Sequence, residues 1–84
     1  SAFDKIDQMH ATMVLRGSLN MNRDGEMTTW RSPKKDIQVS AMPKNTQGTC
    51  REFISDVIIN GNSRKVEGTA CKVNGQWELK EMKK

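Results

Sequence analysis

Apolar and polar residues alternate through much of the second half of the chain, a pattern typical of strands with one buried face. The clearest example is the segment CREFISDVIINGNSRKVEGTAC, which has Asn60-Gly61 at its midpoint. Asn-Gly favours a two-residue type I′ hairpin turn, because both central residues then adopt positive φ. We therefore predict a hairpin in which residue 59 faces residue 62 and the pairs continue outward from there.

This register places Cys50 directly opposite Cys71. The pair falls at a non-hydrogen-bonded position, where the Cα atoms of antiparallel strands come closest, so we predict a disulfide. Phe53 then lies over Gly68 on the core face of the hairpin, whereas the other face is mostly polar. The remaining predicted core-face residues are Val57, Ile59, Val66 and Ala70.

A second Asn-Gly pair, Asn74-Gly75, predicts another tight turn, after which QWELKEM returns along the sheet. This turn sets Leu79 opposite Ala70 and puts Trp77 on the same side as Phe53. The last third of the chain is therefore predicted to be a three-stranded meander.

The first third of the chain has a different period. Apolar residues recur three or four apart over residues 3–16, which predicts a helix, and Gly17 is its predicted end. We expect this Met-rich stripe to pack against the sheet. The alternative is a helix that docks on a membrane or a partner. The stripe consists of Phe3, Ile6, Met9 and Met13, joined by Val14.

Between the helix and the hairpin, EMTTWRS and DIQVSAM read as two more strands. A turn at Ser32-Pro33-Lys34-Lys35 would join them, setting Trp30 near Ile37 and Thr28 near Val39. Residues 43–49 are predicted to form a polar loop. The predicted fold is α+β: residues 1–84 form a single domain, in which an N-terminal helix packs on a roughly five-stranded antiparallel meander over about residues 26–82.

Composition makes the disulfide important. A chain of 84 residues with two tryptophans, two phenylalanines and no tyrosine has a thin core. The predicted disulfide closes the loop between Cys50 and Cys71, and a bridge across a loop of this length contributes about 3 kcal/mol to the free energy of unfolding. Disulfides persist in oxidising compartments, which favours the periplasm, the cell surface or secretion. We expect any export signal to have been removed upstream of Ser1.

Catalytic chemistry is not predicted. The single histidine, His10, lies in the helix, and neither a hydrolytic triad, a zinc ligand set nor a phosphate loop is evident, so no enzyme activity, metal or cofactor is expected. A net charge of +4 and a pI near 9.3 come from scattered cations. We interpret them as a solvated surface. Attraction to anionic lipid is an alternative, and nucleic-acid binding is disfavoured because exposed aromatics are lacking.

Four short motifs are similar to a known family. They are TTW at 28–30 followed by Arg31, CREF at 50–53, GTAC at 68–71 and NGQWEL at 74–79. Together they resemble the C-terminal domain of the bacterial 17-kDa surface antigen family of outer-membrane lipoproteins. The resemblance implies a lipid-anchored envelope domain of a Gram-negative bacterium, outer-membrane anchored and either periplasmic or surface-exposed.

Two arginines belong to these motifs. They are Arg31 and Arg51. For Arg51, at the sheet margin opposite Ala70, we expect a structural role, by stacking on Trp30 or Trp77 or by pairing with a carboxylate, and ligand binding is the alternative. The expected function is protein–protein interaction in the cell envelope, with an accessory or entry-exclusion role in conjugation or type IV secretion as one specialisation. The alternatives are binding of anionic envelope polymers or lipids, and inhibition of a cell-wall enzyme.

Overall fold

The computed structural model describes residues 3–83, which form one helix followed by a single five-stranded sheet. All neighbouring strands are antiparallel and follow one another in chain order. The predicted α+β fold is confirmed. The elements are α1 (Lys5–Met21), β1 (Thr28–Arg31), β2 (Ile37–Gln47), β3 (Cys50–Ile59), β4 (Asn62–Val73) and β5 (Gln76–Lys83).

The β3–β4 hairpin has the predicted register. Ile59 pairs with Asn62 and, nine pairs further out, Cys50 pairs with Cys71, to which it is bonded by a disulfide. Asn60 and Gly61 have φ values of 50° and 83°, as a type I′ turn requires. The turn therefore determines the pairing of the two cysteines.

Gly68 is required by the packing beneath it. A Cβ atom at this position would lie 2.6 Å from the carbonyl oxygen of Glu81 and 2.8 Å from Cζ of Phe53. Real Cβ atoms do not approach heavy atoms so closely, and the Glu81 oxygen belongs to the backbone of β5. The absence of a side chain at residue 68 lets the Phe53 ring lie against the backbone there, where it is fully buried.

The helix is longer than predicted and does not end at Gly17. It begins with a capping box, in which the Asp4 carboxylate accepts from the Asp7 N–H and the Asp7 carboxylate accepts from the Asp4 N–H. It then continues to Met21. The continuation buries Leu19 in the core, and this burial outweighs the modest cost of a glycine inside a helix.

The helix also presents a different face to the sheet from the one predicted. Asp7, Ser18 and Leu19 are buried, whereas Ile6, Met9 and Met13 of the predicted packing stripe are exposed. This face packs inward because its residues have partners there. Leu19 packs with Phe53 of the sheet, and the Asp7 carboxylate forms an ion pair with Lys35 of the β1–β2 loop. The prediction that the Met-rich stripe packs on the sheet is therefore wrong.

The first hairpin is shifted by two residues from its predicted register. Trp30 pairs with Val39 and Thr28 with Ala41, so the predicted proximity of Trp30 to Ile37 and of Thr28 to Val39 is wrong. The Ser32 N–H donates to the Ile37 carbonyl at 2.9 Å, so the loop is wider than the predicted four-residue turn. Inside it, the Ser32 hydroxyl oxygen accepts hydrogen bonds from the backbone N–H groups of residues 34 and 35. A shift by two leaves each side chain on its predicted face.

Strand β2 continues through the segment predicted as a polar loop. It runs past Pro43 to Gln47, and the chain reverses over Gly48-Thr49 instead. Pro43 is tolerated because β1 pairs with β2 only as far as Ala41, and an irregularity in the pairing with β3 follows Pro43. The Pro43 carbonyl accepts from the Gly25 N–H at 2.7 Å, which ties the helix–β1 connection to this edge.

The helix covers one end of the sheet more than the other. It packs mainly on β2, over the buried side chains of Ile37, Val39 and Ala41, with smaller contacts to β1 and β3. The core ends near Ala70 and Trp77. Beyond them, Leu79 and Met82 of β5 are 50% and 57% exposed.

Candidate functional site

The outward side of α1 carries an apolar row of Ile6, Met9 and Met13, which we call the outer row. The three side chains are 62%, 53% and 62% exposed. Their spacing of three and four residues puts them along one line of the helix surface. Lys5 precedes Met9 by four residues and Arg16 follows Met13 by three, so both exposed cations lie alongside the outer row.

A groove of about 330 Å³ runs beside the outer row, between the start of α1 and the β1–β2 loop. Its lining includes His10 and Trp30, whose ring centroids are 4.4 Å apart at an interplanar angle of 75°. Ile6 and Pro33 are apolar lining residues of the same groove. Trp30 therefore contacts the helix through a T-shaped ring pair with His10.

Ion pairs fix the N-terminal end of α1 to the same loop. The Lys35 ammonium lies 2.8 Å from an Asp7 carboxylate oxygen and 3.0 Å from Asp4. The pKa of Asp4 is lowered to about 2, chiefly because its carboxylate accepts the backbone N–H of Asp7, and also because of Lys35. Hydrogen bonds to Asp7 and Asp4 raise the pKa of Lys35 above its usual value.

Arg51 ties the C-terminal end of α1 to the sheet. Its guanidinium donates to the Leu19 carbonyl at 2.7 Å, to the Thr46 hydroxyl at 2.7 Å and to the Asp24 carboxylate at 2.9 Å. Its side chain is only 11% exposed. Hydrogen bonds from Thr46, and then from Arg51, lower the pKa of Asp24. The arginine thus pairs with a carboxylate and also satisfies a carbonyl in the last turn of the helix.

Trp77 provides a second attachment for the same turn. Its indole Nε1 donates to the Asn20 side-chain oxygen at 2.8 Å, and its ring packs against the core cluster of Leu19, Phe53 and Ala70. The Lys72 ammonium lies 5.7 Å from the centroid of the indole, within cation–π range. A groove of about 210 Å³ opens between α1 and β5 beside this ring.

The sequence-predicted motif residues thus lie in two places. Most of them surround the core: Phe53, Gly68 and Trp77 pack together, with Cys50–Cys71 and Arg51 at the margin of the sheet. Trp30 lies under the first half of α1. Arg31 ends β1 opposite Gln38 and is exposed. The turn residues Asn60, Gly61, Asn74 and Gly75 all have positive φ.

The sequence analysis did not predict the residues that form hydrogen bonds with these motif residues. The partners of Arg51 and Trp77, Asp24 and Asn20, are more than 25 residues away in the chain. No local pattern marks them. The Asp4-x-x-Asp7 spacing was a readable signal, because it is the acidic form of a helix-start capping arrangement.

Neither a metal-ligand cluster nor a membrane-spanning helix is found among the described residues. Within residues 3–83, no three His, Cys, Asp or Glu side chains come together in a way that could hold a metal ion. Over the same range, no helix combines the length and the apolar character that crossing a membrane requires.

Comparison with known proteins shows consistent similarity to one group. The chain is 28% identical over 85 residues to the 17 kDa surface antigen of Rickettsia bellii (strain RML369-C), covering 94% of this chain and 54% of that protein. It is 29% identical over 82 residues to the proteins of the same name from Rickettsia conorii (strain ATCC VR-613 / Malish 7) and Rickettsia prowazekii (strain Madrid E), covering 90% of this chain and 52% of each. No protein-family model and no solved structure matches the chain.

The chain spans about half the length of the curated relatives it matches. Their name is consistent with a location in the cell envelope or at the cell surface. The resemblance carried by the four sequence motifs is confirmed: over nearly its whole length, the chain is homologous to a C-terminal portion of the 17 kDa surface antigens of Rickettsia.

Proposed function

We propose that this chain is a non-enzymatic domain of the bacterial cell envelope that acts by binding another protein through the outer row of α1. The observation that carries the proposal is the exposure of Ile6, Met9 and Met13 on a helix whose other face is packed on the sheet. Methionine side chains are flexible and polarisable, and they are common at protein-binding surfaces. Contiguous exposed apolar surface often marks a contact surface, which supports the assignment of the outer row.

The disulfide and the relatives support the proposed location. Disulfides such as Cys50–Cys71 persist in oxidising compartments, and the homologues are named surface antigens. We propose that the full-length protein is anchored to the outer membrane with this domain in the periplasm or at the surface. The chemistry of the outer row selects an apolar partner surface in the envelope, and it selects no particular assembly such as a conjugation or secretion system.

The electrostatics support a role without catalysis. The carboxylates of Asp4, Asp24 and Glu67 have lowered pKa values because each accepts hydrogen bonds, and Lys35 and Lys44 have raised pKa values because each pairs with a carboxylate. Every one of these shifts favours the charged form. A carboxylate or an amine that acts in general acid–base catalysis needs the opposite shift, which brings its pKa toward neutral pH.

Site-specific photo-crosslinking in intact cells of the native host tests this proposal. A photoreactive residue replacing Met9 or Met13 should crosslink to one discrete protein, whereas the same residue at the exposed Gln8, on a different side of the helix, should not. The identified partner, purified, should bind the wild-type domain and lose that binding to the Met9→Lys/Met13→Lys variant. Equal crosslinking from Gln8, or unchanged binding of the double variant, would contradict the proposal.

A second candidate is favoured by the positions of Lys5 and Arg16. Cations beside an apolar helical row are also the arrangement of helices that lie in the interface of anionic membranes. Sedimentation with vesicles tests this candidate: vesicles rich in phosphatidylglycerol should bind the domain in low salt, and phosphatidylcholine vesicles should not. A DNA duplex at the same salt concentrations is the control for non-specific binding, and preferential binding to the duplex would overturn both candidates.

A further inference from the structure

Strand β5 leaves one long edge of the sheet unpaired among the described residues. It spans Gln76–Lys83 and pairs with β4 alone. The opposite edge of the sheet is formed by β1, which has only four residues, Thr28–Arg31. An unpaired edge of eight residues presents a row of free N–H and C=O groups to another strand.

The edge strand contains one extra residue that changes which side each side chain occupies. Thr69 pairs with Glu81 and its neighbour Ala70 pairs with Leu79, so Lys80 is the additional residue of a bulge. Leu79 and Met82, an odd and an even position, consequently lie on the same face of the sheet, opposite Ala70 and Gly68.

On the other face, too, an even and an odd position lie on the same side of the sheet because of the bulge. Glu78 pairs with Cys71 and Lys83 pairs with Glu67, and these two partners belong to the face that α1 does not cover. The outer edge of β5 thus has an apolar pair, Leu79 and Met82, on one face and an opposite-charge pair, Glu78 and Lys83, on the other.

We propose that two copies of this chain associate through β5, antiparallel and two-fold symmetric about a point between Lys80 and Glu81, to form a continuous ten-stranded sheet. In this register Glu78 of one copy faces Lys83 of the other, Leu79 faces Met82, and Lys80 faces Glu81. Paired residues lie on the same face of the sheet because the bulge shifts the alternation of side chains between the two faces. The exposed apolar pair becomes covered and both charge pairs are complementary.

Neighbouring registers of the two β5 strands bring like charges together or pair side chains on different faces. Moving the symmetry point to lie between Leu79 and Lys80 sets Glu78 opposite Glu81. Moving it to lie between Glu81 and Met82 sets Lys80 opposite Lys83. Like charges directly opposite each other destabilise a strand pair. A symmetry point on Lys80 or on Glu81, the two residues at the bulge, pairs side chains that lie on different faces.

The interaction is expected to be weak and concentration-dependent, because a single strand pair buries little area. In the single chain the Glu78 carboxylate lies 3.2 Å from the Lys80 ammonium, and both groups are exposed. In each copy, dimerisation replaces this local pair with two pairs to the other copy, because Glu78 then faces Lys83 and Lys80 faces Glu81. Charge substitutions on β5 therefore test the register directly.

Sedimentation equilibrium of the disulfide-bonded domain provides the measurement. Glu78→Lys and Lys83→Glu, each alone, should weaken dimerisation about tenfold or more, because each sets like charges opposite each other. The double variant Glu78→Lys/Lys83→Glu reverses the pair and should recover the wild-type affinity. Glu52→Lys on β3 changes the net charge by the same amount as Glu78→Lys and should leave dimerisation unchanged.

Methionine oxidation gives a second measurement on the wild type. Oxidation of Met82 should slow as protein concentration rises through the dimerisation range, while oxidation of the similarly exposed Met27 should not. A wild-type domain that is monomeric at millimolar concentration would overturn the proposal. So would a double variant that fails to recover, or a Glu52→Lys variant that is weakened as much as Glu78→Lys.

Discussion

The β3–β4 hairpin and α1 are stabilised in opposite ways. The hairpin is held by its own residues: the Asn60-Gly61 turn, the ladder between its strands and the Cys50–Cys71 bridge at its open end. The helix is held by residues distant in the chain, since Lys35 fixes its start and Arg51 its end. The comparison teaches that local pairing determines the hairpin, whereas tertiary contacts determine how the helix lies.

The largest effect on stability should come from removing the disulfide of the hairpin. The Cys50→Ser/Cys71→Ser variant should lose about 3 kcal/mol of unfolding free energy, because the unfolded chain is no longer restricted by a loop of sequence separation 21. Urea unfolding followed by circular dichroism measures this loss. Wild-type protein under strong reductant should unfold at the same midpoint as the variant, and an unchanged midpoint on reduction would show that the bridge contributes little.

The next effect should come from filling the space at Gly68. Gly68→Ala should cost about 2 kcal/mol, because the added methyl group meets both the Glu81 carbonyl and the Phe53 ring. Adding Phe53→Leu relieves only the ring contact, so the double variant should be more stable than the sum of the two single changes. Strict additivity in urea unfolding would contradict direct contact at this point.

The same comparison explains what the sequence could predict. Two Asn-Gly pairs specify the register of the meander from Cys50 to Leu79, because turn chemistry acts between adjacent residues and each pair then follows from the last. The motif residues Phe53 and Trp77 could therefore be placed on the core face correctly.

The position of α1 could not be predicted in this way. Two apolar stripes compete on it, and the more obvious one, Ile6-Met9-Met13, faces outward. The stripe that packs contains the polar residues Asp7 and Ser18, whose burial depends on partners far along the chain. The extension of β2 through Pro43 could not be predicted for a related reason, since a proline is acceptable there only because β1 pairs with β2 no further than Ala41.

Acid should weaken the attachment of α1 more than it weakens the hairpin. The pKa of Asp4 in the folded protein, about 2, lies below its ordinary value of 3.8. Its stabilising contribution is therefore fully present above pH 3.8 and is lost as the pH falls through 2. Asp4→Asn keeps an N-cap oxygen without the charge, so its urea midpoint should vary less between pH 5 and pH 2 than that of the wild type.

Asp36→Asn, an exposed aspartate in the β1–β2 loop, is the matched control for that experiment. It should retain the wild-type dependence on pH over the same range. Identical pH profiles for Asp4→Asn and the wild type would show that the carboxylate at the start of α1 does not contribute.

The smallest effect should be a gain in stability within the helix. Gly17→Ala should raise the free energy of unfolding by about 0.5–1 kcal/mol, because residue 17 is inside α1 and an added methyl group meets nothing within 4 Å. Gly25→Ala is the contrasting variant: its space is equally open, but its φ of +88° makes alanine strained. A loss of stability from Gly17→Ala would show that the helix ends where the sequence first indicates.

The orientation of α1 is the claim on which the proposed function depends, and methionine oxidation measures it most directly. With dilute hydrogen peroxide and peptide mass spectrometry, Met9 and Met13 should oxidise about as fast as the exposed Met27, and Met42, half-buried on β2, should react more slowly. Protection of Met9 and Met13 in dilute, purified protein would contradict the account, because it would place the outer row against the sheet.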